Sequence, residues 1–284
     1  MNVELLWGYL YERELIRLRR EAGAPRPWTQ DAILNIYKFT NVYREHDRVT
    51  RWMAKHVREP LEDDKTLVHA CIAFRWFNRI STGEAIFTKR EFEDTAWERY
   101  TNGWSTNELK AAILTRCGKG PYVTGAYIIK TPDGYSKLDG VLKLIDQAFV
   151  AATNIQVNPT TLERAYEILQ GIPYMGTFTG AQVIADLKYT PLFRNAPDWH
   201  TFVHSGPGSR AGLNIILGRQ PTTPWKEAEW VKLILELREK LAPKFIEQGW
   251  EVPHAQDVQS GLCELSKYVR GYSRNTFVPS KEAL

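Results

Sequence analysis

A glycine-containing segment in the second half of the chain has the residue types of a phosphate-binding hairpin. It runs from Ile172 to Ala181, with the sequence IPYMGTFTGA, between two stretches of helical apolar spacing. A tight turn with glycine lets backbone amides approach a phosphate, and the next helix adds unpaired N–H groups and a positive dipole end. An ordinary helix–turn–helix connection would have the same spacing. The candidate phosphate-binding residues are Tyr174, Gly176, Thr177 and Thr179.

A single acid follows this hairpin after the length of one helix. Asp198 stands in the loop APDWHT, after the helix breaker Pro191 and just before a new apolar run. One carboxylate near a phosphate-binding turn suits the removal of a proton from a bound reactant. The glycine-rich turn SGPGS comes next, and its amides would suit a second phosphate contact, although most such turns only connect elements. The candidate residues of that turn are Ser205, Gly208 and Ser209.

A polar stripe is predicted on one long helix from residue 29 or 30 to about 57. Within it Asn41, Arg44 and Arg48 follow one another at steps of three and four, so they would lie along one face. An amide and two guanidiniums on one stripe suit a surface that binds an anion or a base edge. A solvated face with neighbouring carboxylates as ion-pair partners would show the same pattern.

Two other predicted helices place polar residues beside an apolar stripe. Arg75 and Asn78 lie beside such a stripe in the helix predicted for 63–80. The last helix holds Asp257, Glu264 and Lys267 at spacings that let two acids and a base share a face. Surface ion pairing explains that arrangement equally well.

Most of the remaining chain has helical apolar spacing with short breaks. The exception is 118–139, which is rich in Gly and Pro and predicts either a short β-hairpin near 120–137 or an ordered loop. Apparent capping boxes begin at Ser105 and at Thr160, and Thr82-Gly83 is expected to end a helix. The predicted helices are 2–20, 29–57, 63–80, 88–100, 106–118, 138–150, 162–171, a helix beginning at Pro224, and the last helix.

Composition limits the classes of protein that the chain can belong to. It has 284 residues, 43% hydrophobic and 25% charged, with a net charge of +4, which is typical of a globular protein with a mild bias towards polyanions. Neither a membrane-spanning apolar run nor a signal peptide is evident, so a cytoplasmic protein is expected. The three cysteines are too few and too scattered for a disulfide framework or a zinc site.

The hairpin and the acid that follows it resemble those of the helix-hairpin-helix DNA glycosylase superfamily. Asp198 falls where that superfamily keeps its catalytic aspartate, whereas Phe178 stands where bifunctional members have a lysine and Tyr174 replaces a glycine of the hairpin. Four blocks resemble a phage-associated branch that contains the alpha-glutamyl/putrescinyl thymine pyrophosphorylases and the helical domain found with 5-hydroxymethyluracil DNA kinases. These blocks are FTNVYREHDR at 39–48, FRWFN at 74–78, SGPGS at 205–209 and QDVQSGLCELSKY at 256–268.

The resemblance implies an all-α, glycosylase-like fold with two helical lobes and a DNA-binding cleft. The expected organisation is a single domain, 1–284. Its first lobe would span about 30–150 and its hairpin lobe about 151–220, with C-terminal helices at 221–275 packing back on the hairpin lobe.

The chemistry implied by the resemblance is transfer of an amine to a hypermodified thymine in phage DNA. A flipped 5-pyrophosphoryloxymethyl-uracil would lose pyrophosphate, and an amine or amino acid would take its place. Such a reaction needs cations for the leaving group, a base for the amine proton and contacts that hold the ring. The expected catalytic residues are Asp198 as base, with Arg44, Arg48 and Lys267; the expected base-binding residues are Asn41, Tyr43, Arg75, Asn78 and Tyr268.

Two other functions remain open at this stage: a monofunctional DNA base glycosylase, and a non-catalytic DNA-binding partner of a 5-hydroxymethyluracil DNA kinase. The expected partners are double-stranded DNA with modified thymine and a small amine donor, with no membrane, in the cytoplasm of an infected bacterium. No cofactor is expected besides the amine or amino-acid co-substrate. Magnesium would assist a pyrophosphate leaving group, but the sequence shows no dedicated carboxylate cluster for it.

Overall fold

The computed structural model describes residues 1–89, 93–273 and 275–277, and this part of the chain is mostly helical. An all-α fold is therefore confirmed, with one two-stranded sheet as its β structure in the described residues. In chain order the elements are α1 Val3–Glu21, α2 Ala32–Ile36, β1 Tyr37–Lys38, a 3₁₀ turn Arg44–His46, α3 Arg48–Met53, a π-helix Ala54–Arg58, α4 Leu67–Phe77, α5 Ile80–Phe87, α6 Ala96–Gly103, α7 Thr106–Cys117, α8 Lys137–Gln147, α9 Phe149–Val157, α10 Leu162–Gln170, α11 Gly176–Leu187, α12 Pro207–Ile216, α13 Glu227–Glu247, α14 Ala255–Val269 and β2 Asn275–Thr276.

The chain forms two compact units, unit 1 from 1–47 and 200–284 and unit 2 from 48–199. The first unit is discontinuous, and the division into lobes at about 30–150 and 151–220 stays a prediction. None of the described helices is long and apolar enough to cross a membrane.

Unit 1 is built around the buried faces of α1, α13 and α14. Leu6 and Leu10 from α1, Leu237 from α13 and Leu262 from α14 are fully or almost fully buried in one apolar core. The β1–β2 pair is antiparallel and joins Tyr37 to Thr276. This unit therefore brings residues 37–38 together with residues 275–276.

Unit 2 is organised around α4, all of whose residues are buried. Its core includes the fully buried rings of Trp76, Phe77 and Trp97. Gly83 lies inside α5, at a place where a β-carbon would approach the Trp52 ring to 2.4 Å. The expected helix end at Thr82-Gly83 is thus wrong, and the glycine serves close packing instead.

The long helix predicted for 29–57 is also wrong. The chain leaves helical geometry at Tyr37, which is extended and begins β1, and helix resumes only at Arg48. Asn41, Arg44 and Arg48 therefore do not share a helix face. Helical spacing of apolar residues did not reveal this break, because the partner of β1 lies at the other end of the chain.

Other predicted elements are confirmed with shifted bounds. The helix predicted for 88–100 is α6, which begins at Ala96, and residues 90–92 lie outside the described part. Ser105 makes no side-chain cap, whereas the Thr161 side chain accepts from the Arg164 N–H and caps α10. The segment 118–136 contains no strand, so the alternative of an ordered loop holds there rather than a β-hairpin.

Glycines in α12 let this helix pack tightly against α14. A β-carbon at Gly212 would lie 2.1 Å from the Leu262 carbonyl oxygen, which belongs to the backbone and cannot rotate away. Gly212→Ala is therefore expected to lower the free energy of unfolding by about 1–3 kcal/mol through overpacking. Gly8→Ala in α1 is the matched control, because nothing lies within 4 Å of its β-carbon position, and it should raise that free energy by about 0.5–1 kcal/mol. Urea denaturation of both variants tests this, and equal stabilities would contradict it.

Candidate functional site

Side chains from two helices hold the irregular segment FTNVYREHD, residues 39–47, in unit 1. Arg13 of α1 is buried, and its Nη2 donates to the carbonyl oxygens of Phe39 at 2.9 Å and Thr40 at 3.3 Å. Glu264 of α14 accepts from the Thr40 N–H at 3.3 Å. The backbone groups of Phe39 and Thr40 are thus satisfied by charged side chains. We call the segment and these side chains the 39–47 cluster.

The amide of Asn41 closes the segment on itself. Its Nδ2 donates to the His46 carbonyl oxygen at 2.9 Å, and its backbone N–H donates to Asp47 Oδ1 at 3.2 Å. The Asn41 Oδ1 also lies 3.5 Å from Arg13 Nη2. Asn41 therefore shapes the segment locally, and its contact with a base stays a prediction.

A second acid of α14, Asp257, also binds this segment. Asp257 accepts from the Arg44 N–H at 3.2 Å, and its second oxygen lies 3.2 Å from Nε2 of buried His254. Glu264 also forms an ion pair with Lys267, one turn further along α14. The Tyr43 hydroxyl donates to the Glu251 carbonyl oxygen at 2.5 Å. Of the residues expected at the site, Asn41, Tyr43, Arg44 and Lys267 are thus brought into one cluster.

Burial shifts the pKa of Asp47, an acid of the cluster. It raises the pKa of this carboxyl to about 6, against the opposing effects of the Asn41 N–H, Arg44 and Arg13. An acid that titrates near neutrality can accept and release a proton under physiological conditions. Neither Asp47 nor Arg13 was predicted as a site residue, although Arg13 lies at helical spacing from buried Leu6, Tyr9, Leu10 and Ile16.

Asp47 should make stability fall as pH rises. Its pKa is about 6 in the folded chain and about 4 in an unfolded one, so the folded state binds the proton more tightly. The resulting stabilisation is fully present below about pH 4 and is lost as pH rises through about 6, by on the order of 2 kcal/mol. Asp47→Asn keeps an oxygen for the Asn41 N–H and should remove this dependence. Urea denaturation at pH 4 and 7 tests it; an equal pH dependence in both proteins would contradict it.

Tyr268 lies beside the cluster on α14. Its hydroxyl donates to Asp31 Oδ2 at 2.6 Å, and its ring packs against Tyr9 at 5.2 Å between centroids. Burial, followed by the bond to Asp31 and the charges of Asp31 and Glu12, raises the pKa of Tyr268 to about 12. The phenol is therefore a neutral hydrogen-bond donor at physiological pH.

In unit 2 the hairpin connects α10 to α11 through a turn with two positive φ angles, 62° at Tyr174 and 60° at Gly176. Tyr174 is the unusual one, since a residue with a β-carbon is strained there. The Gln170 side chain donates to the Gly176 carbonyl oxygen at 3.3 Å and holds the turn against α10. Phe178, in the first turn of α11, is half exposed with its ring edge against Tyr127. Thr177 is exposed and Thr179 is buried, and phosphate binding by this hairpin stays a prediction.

Asp198 caps the N-terminus of α10. Its two carboxylate oxygens accept from the backbone N–H groups of Leu162 and Glu163, both at 2.9 Å. The side chain is half-buried, and each oxygen keeps a lone pair beyond these bonds. The structure gives this carboxylate the role of capping α10. Its assignment as a catalytic base stays a prediction.

Arg75 is almost completely buried in an ion pair with Asp186. Its Nη2 donates to Asp186 Oδ1 at 2.7 Å, its Nε donates to the other carboxylate oxygen, and its Nη1 donates to Asn78 Oδ1 at 2.6 Å. Burial disfavours the charge of Arg75, but the Asp186 carboxylate outweighs this and raises the arginine pKa above its usual range. Arg48, by contrast, is exposed at the start of α3. Base contacts by Arg75 and Asn78 stay predictions.

The SGPGS turn of unit 1 uses its polar groups internally. The Ser205 N–H and hydroxyl donate to the Glu227 carboxylate at 2.7 and 2.5 Å, and the buried Ser209 hydroxyl accepts from the Gly206 N–H at 2.9 Å. Gly208 lies close to Cys263, where a β-carbon would be 2.4 Å from the sulfur. Phosphate binding by Ser205, Gly208 and Ser209 remains a prediction. Over the described residues, no group of three or more His, Cys, Asp and Glu side chains is placed to hold a metal ion.

Comparison with known proteins gives two matches. A family model described as "5-hmdU DNA kinase, helical domain" matches residues 2–276. A 5-hmdU DNA kinase of Bacillus phage SP10 is 28% identical over 299 residues, which cover 93% of this chain and 44% of the relative. The chain thus spans less than half the length of that relative. No solved structure matches the chain.

Proposed function

The chain belongs to the family of 5-hmdU DNA kinase helical domains, and from this premise we propose that it is a phage DNA-modifying transferase. Its substrate in this proposal is 5-pyrophosphoryloxymethyl-deoxyuridine in double-stranded DNA. An amine or amino acid replaces the pyrophosphate on the methylene carbon. The observation that supports this choice most is the 39–47 cluster, which holds acids and cations together around one irregular segment.

The proposed reaction breaks one bond and forms one. The C–O bond between the methylene carbon and pyrophosphate breaks, its electron pair leaves with the pyrophosphate, and the methylene becomes conjugated with the pyrimidine ring. The lone pair of the amine then forms the new C–N bond, and a base takes the proton that the amine loses. Cations lower the barrier by stabilising the negative charge that develops on pyrophosphate.

The described side chains offer groups for each of these tasks. In unit 1, Arg44 and Lys267 are the proposed cations, and Asn41, Tyr43 and Tyr268 the proposed contacts to the ring. In unit 2, the hairpin at Tyr174–Thr179 is proposed to bind DNA phosphates, and its exposed Tyr174 and Phe178 add aromatic faces of the kind that contact nucleotides. Four residues keep the roles that the sequence predicted for them. Asp198 is the proposed base, Arg48 a further cation, and Arg75 and Asn78 are further contacts to the ring.

A second candidate function is favoured by the match itself. The chain covers 44% of a relative that is named as a kinase, so the aligned region corresponds to a part of that protein. A non-catalytic helical domain that binds DNA for a separate 5-hmdU kinase would give the same match.

Incubation with modified DNA separates these functions. The protein is mixed with duplex DNA containing 5-pyrophosphoryloxymethyl-uracil and a mixture of amines and amino acids, and the digested nucleosides are weighed by mass spectrometry. A nucleoside carrying an amine, with pyrophosphate released, supports the transferase. A free base with an abasic site would make the protein a glycosylase. An unchanged base with tight DNA binding would favour the non-catalytic domain, and phosphate transfer from ATP to 5-hydroxymethyluracil DNA would make the chain itself a kinase.

A further inference from the structure

Unit 1 contains an open cleft to which none of the proposed substrate contacts has been assigned. Its volume is about 530 Å³, which lies within the usual range for small-ligand sites. It is formed by one side of α1 and by the loop that leads into α2. The lining residues are Glu12, Arg19, Pro27, Trp28, Thr29, Gln30 and Asp31.

A carboxylate without a cationic partner faces this cleft. Asp31 accepts from the Leu34 N–H at 2.8 Å and from the Tyr268 hydroxyl at 2.6 Å, and both donors are neutral. Among the residues that the structure describes, no Lys, Arg or His forms an ion pair with Asp31. A half-buried carboxylate with neutral partners is a favourable place for a cation, because opposite charges attract more strongly where water is partly excluded.

A second carboxylate reaches the same place. Glu12 is close enough to the Tyr268 hydroxyl for its charge, together with that of Asp31, to oppose ionisation of the phenol. Its one ion-pair partner in the described chain is Arg19, whose Nη1 lies 3.2 Å from Glu12 Oε1, and both side chains are partly exposed. The carboxylates of Asp31 and Glu12 therefore place negative charge in the cleft, next to the neutral Tyr268 hydroxyl that Asp31 binds.

The cleft is connected to the 39–47 cluster through α14. Tyr268 follows Lys267, which pairs with Glu264, and Glu264 accepts from the Thr40 N–H. A ligand held at Asp31 would thus lie next to the turn of α14 that supports the cluster. The guanidiniums of Arg20 and Arg26 lie over the neighbouring Trp28 ring, each 5.3 Å from its centroid.

We propose that this cleft binds the amine donor of the reaction through its protonated amino group, with Asp31 as the principal contact and Glu12 as the second. The inference rests on the proposed transferase function and names the place of its second substrate. The ligand class is a small compound with a primary ammonium group, either a diamine or an amino acid. Arg19, at the edge of the cleft, would favour the amino acid by meeting its carboxylate.

Calorimetric titration of the full chain tests the site without DNA. The probes are 1,4-diaminobutane, glycine and the neutral match butane-1,4-diol. We expect binding of at least one ammonium compound and none of the diol. Asp31→Asn should weaken that binding at least tenfold, since Asn caps a helix as well as Asp and removes only the charge. Glu12→Gln should weaken it less, and Glu4→Gln, a carboxylate of α1 that pairs with Lys244, should leave it unchanged. No binding of either ammonium compound, or equal binding by Asp31→Asn, would overturn the proposal.

The transfer assay separates failure of this site from failure of the proposed function. With an active wild-type protein, Asp31→Asn should raise the KM for the amine at least tenfold while kcat changes little, and an unchanged KM would reject the cleft but keep the transferase. The wild-type protein could instead bind an ammonium compound in an Asp31-dependent way and transfer nothing to modified DNA. That result would support the binding site and reject the transferase function. Tyr268→Phe frees a lone pair of Asp31 and should retain ammonium binding; loss of binding in this variant would contradict the geometry.

Discussion

Asp198→Asn is expected to lower amine transfer at least about 100-fold, the usual contribution of a general base. The reason is that an amide has no basic lone pair with which to take the proton of the attacking amine. The fold should survive, because Asn is as good a helix cap as Asp and its oxygen can still accept from one of the two N–H groups, of Leu162 and Glu163, that Asp198 binds. Product formation by mass spectrometry and DNA binding by fluorescence anisotropy are the measurements.

A matched cap variant shows whether any loss is chemical. Thr161 caps the same helix through the Arg164 N–H at 3.0 Å, so Thr161→Ala should cost about 1 kcal/mol of stability without removing a base. Loss of transfer in Asp198→Asn, with full transfer in Thr161→Ala, would assign the effect to the carboxylate. Full activity of Asp198→Asn would remove Asp198 from the role of base and leave it as a cap.

Asp186→Asn is expected to destabilise unit 2 by about 3–5 kcal/mol, because it leaves the guanidinium of Arg75 buried without its counter-charge. The side chains of Asp186 and Arg75 are 0% and 3% exposed, so water cannot replace the lost partner. Chemical denaturation followed by tryptophan fluorescence measures the loss, since Trp76 and Trp97 lie in the core of this unit.

Removal of both charges should cost less than removal of one. The double variant Arg75→Met with Asp186→Leu removes the buried guanidinium together with its carboxylate partner, so its stability should lie above that of Asp186→Asn. The exposed pair Arg164–Glu167 is the control, with side chains 62% and 54% exposed, and Glu167→Gln should change stability by less than about 0.5 kcal/mol. A loss in Asp186→Asn as small as that of the control would show that the buried pair contributes no more than a surface pair.

Local patterns in the sequence predicted the helices well where one face is apolar. The repeat of Leu6, Tyr9, Leu10 and Ile16 placed α1 within one residue at each end, because a helix of this length is determined by its own buried stripe. The turn between α10 and α11 was also found, since turn chemistry is local. The family could be anticipated from four short blocks, of which FTNVYREHD is now the irregular centre of the 39–47 cluster.

What the sequence did not reveal depends on partners far along the chain. Tyr37 leaves the helix because it pairs with Thr276, and no window around residue 37 contains that partner. Asp47 acquires its high pKa from burial, which is a property of the assembled unit. The cleft at Asp31 was missed for a related reason, since its carboxylates lie on α1 and at the start of α2 and meet at a tyrosine of α14.

The discontinuity of unit 1 sets an order of assembly on the ribosome. The residues of unit 2 emerge as one continuous stretch, 48–199, and can collapse as soon as Trp199 has left the exit tunnel. The first 47 residues can pack only after α13, α14 and β2 have been synthesised. At bacterial rates of synthesis, roughly 10–50 s pass between the synthesis of β1 and that of its partner strand β2. During that interval the apolar face of α1 has no partner helix, and Glu264 has not yet been synthesised. The 39–47 cluster is therefore among the last structures of the nascent protein to form.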